Sequence, residues 1–122
     1  MFKVAIRSAT ASAHAALEAA GVKSEDVSLF VPHQANQRIT DALASRLGLP
    51  AERVVSTIAT TGNSSAATIP HALALADSDG RLRDGDLVVV SGFGAGMTWA
   101  TAVLRWSSGQ TARRNPAGAA EV

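Results

Sequence analysis

Three short segments gather residue types that could carry chemistry. They are Val31-Pro32-His33-Gln34-Ala35-Asn36, Thr61-Gly62-Asn63-Ser64-Ser65-Ala66 and Gly92-Phe93-Gly94-Ala95-Gly96. An imidazole and a primary amide offer N–H groups, and a glycine-rich backbone lets further N–H groups come close to a ligand. Taken singly, each segment has a structural reading: a lone histidine after a strand, a Gly-Asn turn, a glycine hairpin. What raises them is their placement, because each falls at the end of a predicted strand. In open α/β sheets that edge forms the ligand crevice, so three segments far apart in sequence are expected to converge. His14 lies on a helix beside alanines and His71 follows Pro70; neither has such a context, and both are read as structural or solvated.

The elements that must position these segments are legible from periodicity. From Phe2 to Ala20, Ala5, Ala9, Ala13, Ala16, Leu17 and Ala20 recur at steps of three and four, one smooth helical face, and Gly21 closes it. Val27 to Val31 reads as a short buried strand stopped by Pro32. Asn36 to Leu47 is a helix with Ile39, Ala42, Leu43 and Leu47 inward, Arg38, Asp41 and Ser45 outward, and Gly48 at its end. Pro50 opens a single turn, Val54 to Thr57 reads as a strand, and Thr60 to Ser65 as a loop around Gly62-Asn63. A helix follows through Ala76; it either begins late, with Pro70 in its first turn, or kinks there. Asp77 to Asp86 is a turn region. Leu87 to Ser91 is a continuous apolar run of the kind buried on both faces. Met97 to Trp106 alternates Trp99, Thr101 and Val103 against Ala100, Ala102 and Leu104, so the last two strands should pair as a hairpin. The result is an α/β chain of order α-β-α-β-α-β-β, over residues 1–106, with 107–122 polar, patternless and expected to be a disordered tail.

Composition narrows the function classes. The 122 residues are 47% hydrophobic and 17% charged, with a mean hydropathy of +0.14, which suits one packed domain. A formal charge of +1 gives no polyelectrolyte reason to expect nucleic acid as a partner. No apolar run is long enough to span a membrane and Met1-Phe2-Lys3 opens no export signal, so the expected location is cytoplasmic. The chain contains no cysteine and therefore supplies neither a disulfide, nor a cysteine-ligated metal, nor a thiol nucleophile.

The three segments, in this order and spacing, resemble β-ketoacyl-acyl-carrier-protein synthase III and its relatives in the thiolase superfamily, over about Phe2 to Trp106. In that family a Val-Pro-His-Gln-Ala-Asn segment carries the catalytic histidine and a Gly-Asn-x-Ser-Ala-Ala segment the catalytic asparagine. A Phe-Gly-x-Gly loop lines the active site. The matching positions are His33, Asn63, and Phe93, Gly94, Ala95 and Gly96. The resemblance further implies a pantetheine (coenzyme A) contact for Asn36 and docking of an acidic acyl carrier protein at Arg38, to which Arg46, eight residues on along the same helix, is added. The implied fold is the C-terminal half of a thiolase-like fold, layered α-β-α with a mixed sheet. The family's nucleophilic cysteine lies in an N-terminal half with no counterpart here, and Met1 directly before the first helix suggests a fragment boundary.

The reaction implied is a decarboxylating Claisen condensation: an acyl group passes from acyl-CoA to the cysteine, and malonyl carrier protein loses carbon dioxide and attacks it. No cofactor is implied. His33 Nε2–H and Asn63 Nδ2–H would steady the thioester enolate, and the Gly94-Ala95-Gly96 backbone the acyl-enzyme oxyanion. The partners implied are an N-terminal Cys-bearing half, an acyl carrier protein and, because the alanine face of the first helix and the strand set around Val88 to Val90 and Trp99 to Val103 would lie uncovered, a second copy of the chain in a homodimer. Two other readings stand beside this one. The chain could be a non-catalytic half presenting Arg38, Arg46 and Arg53 to a carrier or serving dimerisation, or it could belong to an acyltransferase or a specialised-metabolism condensing enzyme.

Overall fold

The computed structural model describes residues 2–63, 65–94 and 98–107. Helix α1 spans Phe2–Ala20, strand β1 Leu29–Pro32, helix α2 Gln37–Leu47, a single turn α3 Ile58–Thr61, helix α4 Thr68–Ser78, and strands β2 and β3 Leu87–Gly94 and Thr98–Arg105. Short 3₁₀ turns lie at Ser24–Asp26, Ala51–Arg53 and Ser65–Ala67. The sheet has the order β1-β2-β3, with β1 parallel to β2 and β2 antiparallel to β3, so it is mixed and its last two strands are paired as expected.

Because successive strand residues point to opposite faces, the sheet divides the apolar residues into two cores. Phe30 and Val89 pack with Ile6, Ala9, Ala13 and Leu17 of α1 and with Ile39, Leu43 and Leu47 of α2. Leu29, Val31 and Val88 pack with Ala72 and Ala76 of α4. The architecture is thus helices, sheet, helix. The alanine stripe of α1 is not the uncovered surface expected from sequence: Ala9 and Ala13 are buried where α1 crosses β3, β2 and α2. Small side chains let that helix sit close on the sheet, which is what the stripe is for. Of the strand set expected to lie uncovered, Val88 and Val89 are buried as well, and the exposed large apolar side chains among the described residues are Trp99 and Leu104 of β3 and Val4 of α1.

The helix ends follow from their sequences. Asn36 accepts the Ile39 N–H at 3.2 Å through its side chain, and Gly48 closes α2 at φ 70°, the left-handed position where a side chain would be strained. Pro70 is the third residue of α4, in the first turn, where no intrahelical N–H is needed, so the late-start alternative holds. The same helix runs to Ser78, two residues into the expected turn region.

Two expectations are corrected. Val54 to Thr57 is not a strand: it makes one parallel bridge, Phe30 with Val54, and one further bond from Val55 N–H to the Phe30 carbonyl at 2.9 Å. The groups that would continue the ladder, Val55 C=O and Thr57 N–H, are taken by the Gln34 side chain instead. The loop expected from Thr60 begins later, because Ile58–Thr61 closes a helical turn in which the Thr60 and Thr61 hydroxyls donate to the Thr57 carbonyl. Of the tail, only Ser107 is described; residues 108–122 lie outside the described residues.

Candidate active site

His33 follows β1 directly, its N–H donating to the Ser91 carbonyl at 2.7 Å, so the strand ladder itself sets its height above the sheet. The ring is held from two sides. Nδ1 lies 2.6 Å from Thr68 Oγ1 at the start of α4, and Phe93 of β2 meets the ring edge-to-face, with centroids 5.5 Å apart and planes at 76°. Burial pushes the His33 pKa below its ordinary 6.5, because the charged ring would lose solvation. The neutral ring is therefore the resting form at pH 7.

Gln34, next in the chain, is fully buried. Its Nε2 donates to the carbonyls of Pro32 at 2.8 Å and Val55 at 3.2 Å, and its Oε1 accepts the Thr57 N–H at 2.9 Å. One amide thus binds the end of β1 to the segment that leads into the asparagine loop. Sequence reading placed Gln34 in its motif without a role. Its partners lie more than twenty residues downstream, beyond the reach of any local pattern.

Asn63 stands on the other segment. Gly62, at φ 65° and ψ −168°, occupies a backbone region open essentially to glycine alone. Asn63 Oδ1 accepts the Ser65 N–H at 3.0 Å, which leaves the Nδ2 hydrogens of the amide to offer elsewhere. Ser65 itself has φ 54°, the one non-glycine residue with positive φ among the described residues. That strain, about 1–3 kcal/mol for such a conformation, turns its N–H to Asn63 and its carbonyl to the Thr68 hydroxyl at 2.9 Å.

These parts converge. His33, Asn63, Phe93 and Gly94 line one open depression of about 690 Å³, floored by Val90 and Gly92 of β2 and Ala100 and Ala102 of β3. Thr68 joins them from α4. The floor is apolar and no carboxylate, lysine or arginine lines it among the described residues, a setting in which a few aimed dipoles act strongly. Ala95 and Gly96 lie outside the described residues. Asn36, Arg38 and Arg46 are not brought to the depression: Asn36 caps α2, while Arg38 and Arg46 lie exposed on its first and last turns. Arg53 is spent on structure, its Nη1 donating to the carbonyls of Glu25 and Val27. Among the described residues no group of three His, Cys, Asp or Glu side chains could hold a metal ion, and no helix is long and apolar enough to cross a membrane.

A mixed sheet between helix layers, with an imidazole and an amide converging at the strand ends, defines a thiolase-like α/β half-domain. The comparisons carry the assignment further. The family described as 3-oxoacyl-[acyl-carrier-protein (ACP)] synthase III C terminal matches residues 17–106, and the chain belongs to that family. It is 52% identical over 106 residues to a β-ketoacyl-[acyl-carrier-protein] synthase III of Rhodobacter capsulatus, covering 87% of this chain and 33% of the relative. The crystal structure of the corresponding Thermus thermophilus synthase III superposes with a TM-score of 0.85 at 53% identity, over 87% of this chain and 33% of that one. The priming β-ketosynthase of the R1128 polyketide pathway gives a TM-score of 0.80 at 42% identity, over 85% of this chain and 31% of that one. The chain thus spans about a third of the length of the relatives it matches.

Proposed function

We propose that this chain is the C-terminal catalytic half of a β-ketoacyl-acyl-carrier-protein synthase III-like condensing enzyme. In this reading it supplies His33 and Asn63 for decarboxylative condensation of malonyl carrier protein with an acyl group drawn from acyl-CoA. The observation that carries the reading is the convergence of those two side chains, from separate segments, on one apolar depression. The hard species in such a reaction is a thioester enolate, whose charge gathers on oxygen, and dipoles already in place at that oxygen lower the barrier without reorganising. Asn63 fits the role well because its Oδ1 is already committed to Ser65, so the amide presents its N–H side.

The chain contains no cysteine, so the nucleophile comes from an N-terminal Cys-bearing half, and this chain alone is inactive in condensation. The remaining partners in this reading are an acyl carrier protein docked on the α2 face that carries Arg38 and Arg46, and a second copy of the subunit, in the cytoplasm. Neither a cofactor nor a metal takes part. The similarity to a polyketide priming ketosynthase favours a second reading within the same chemistry, in which the product enters a polyketide pathway.

The test joins this chain to the Cys-bearing N-terminal half of the Rhodobacter capsulatus relative. His33→Ala and Asn63→Ala should each lower malonyl decarboxylation and condensation by roughly 10²-fold or more, while acyl transfer to the cysteine is largely retained. Equal loss of both steps would remove the enolate role from these residues.

A further inference from the structure

Between α4 and the end of β1 runs a hydrogen-bond chain through the Thr68 hydroxyl. His33 Nδ1 lies 2.6 Å from Thr68 Oγ1, and Thr68 Oγ1 lies 2.9 Å from the Ser65 carbonyl oxygen. A threonine hydroxyl owns one hydrogen and a carbonyl owns none. With the hydrogen on the Ser65 side, the carbonyl is satisfied and Oγ1 is left as an acceptor, which only an Nδ1–H can then use. The opposite direction would set two oxygen atoms against each other at 2.9 Å without a hydrogen between them, beside a side chain buried to 2% exposure. A threonine in a helix can bond back in this way to the carbonyl three or four residues earlier. Nδ1–H to Thr68 to Ser65 is therefore one continuous run of donors, each strengthening the next.

We infer that Thr68 is a positioning residue that keeps the His33 proton on Nδ1, so that Nε2 is the nitrogen through which His33 exchanges a proton with an occupant of the depression. A neutral His33 then presents a lone pair at Nε2, and only the imidazolium presents Nε2–H. The reading under Proposed function, on which this consequence rests, is altered in one respect. At the thioester oxygen Asn63 is the standing donor, and His33 becomes a second donor when its ring is protonated. Neutral His33 instead takes a hydrogen bond from a group that has a proton to give. The groups that face the ring are Thr68 from α4, Phe93 from β2 and, across the depression, Asn63; none is charged, and burial favours the neutral ring. Acidification should load Nε2 while Nδ1 stays protonated throughout.

Two-bond ¹H–¹⁵N correlation spectra of the ¹⁵N-histidine-labelled 122-residue chain read this directly. Above the titration, His33 should show a protonated Nδ1 and a bare Nε2 in excess, with the Nδ1–H to Nε2–H ratio raised roughly five- to tenfold over that of an unpartnered histidine, the factor that one net hydrogen bond supports. Thr68→Val, which keeps the shape and removes the hydroxyl, should abolish that excess, and Thr68→Ser should restore it. A wild-type spectrum with Nε2 protonated and Nδ1 bare would overturn the inference, as would a Thr68→Val spectrum with the excess intact. Should the valine variant fail to fold, Thr68→Ala supplies the hydroxyl-free arm, with the same loss of the excess expected and an intact excess overturning the inference. The readout needs no turnover, so it stands apart from the condensation assay: a bare Nε2 in an enzyme indifferent to His33→Ala would refute the proposed function and leave the tautomer in place.

Discussion

His33 and Asn63 reach the same depression from supports of opposite character. His33 extends a fully buried strand, is backed by the buried amide of Gln34, and has its ring held by Thr68 and Phe93. Asn63 is exposed, sits between a glycine in a backbone region that other residues avoid and a serine at positive φ, and is tied to the chain by one Asx-type bond. One half of the site is held by packing and satisfied polar groups, the other by local strain. The difference teaches where tolerance should lie. A perturbation on the histidine side must open a core, whereas one on the asparagine side distorts a loop and leaves the core closed.

The largest effect should come from Gln34→Leu. It strips partners from the Pro32 and Val55 carbonyls and the Thr57 N–H in a place water does not reach, and buried orphans cost ~1–3 kcal/mol each. A loss of at least ~3 kcal/mol in chemical denaturation is expected on that basis. A loss no larger than that of a surface substitution would erase the contrast between the two supports.

Gly62→Ala should cost less, about 1–3 kcal/mol, the range for a residue forced into a disfavoured backbone region. No atom outside its immediate neighbours lies within 4 Å of where the new Cβ would stand, so the penalty is conformational and confined to the loop. Amide exchange should rise around Asn63 while the His33 N–H, bonded to Ser91, keeps its protection. Equal loss of protection at both would mean that the two segments open as one unit, and that the contrast is only static.

The smallest change in stability should follow Arg38→Glu, on the exposed face of α2, within about 0.5 kcal/mol as for other surface substitutions. Its effect should appear instead in the hybrid enzyme, as slower association with the carrier protein and a flatter salt dependence. Turnover with a free pantetheine thioester should be unchanged. Equal slowing with both substrates would take carrier docking away from this face and tie α2 to the depression after all.

Much of this was written in the sequence, and for a physical reason: helix and strand periodicity are local properties. The 3.6-residue stripe of α1, the capped and glycine-closed α2, the alternation of β3 and the hairpin of β2 with β3 all follow from neighbours within a few positions. So does the placing of the His33 and Phe93-Gly94 segments at the ends of β1 and β2, whereas the Asn63 segment reaches the same depression from the α3 turn rather than from a strand. What the tertiary structure decided depends on residues far apart in the chain. Val54 to Thr57 has the composition of a strand, yet Gln34 takes the groups its ladder would have used. The alanine stripe of α1 reads equally as an outer surface or an inner one until β3 lies across it. The His33 ring is held by a hydroxyl thirty-five positions away, which itself bonds to the carbonyl of a serine at positive φ. Side-chain hydrogen bonds of that span carry no periodic trace, so only the folded chain determines which donor faces which acceptor.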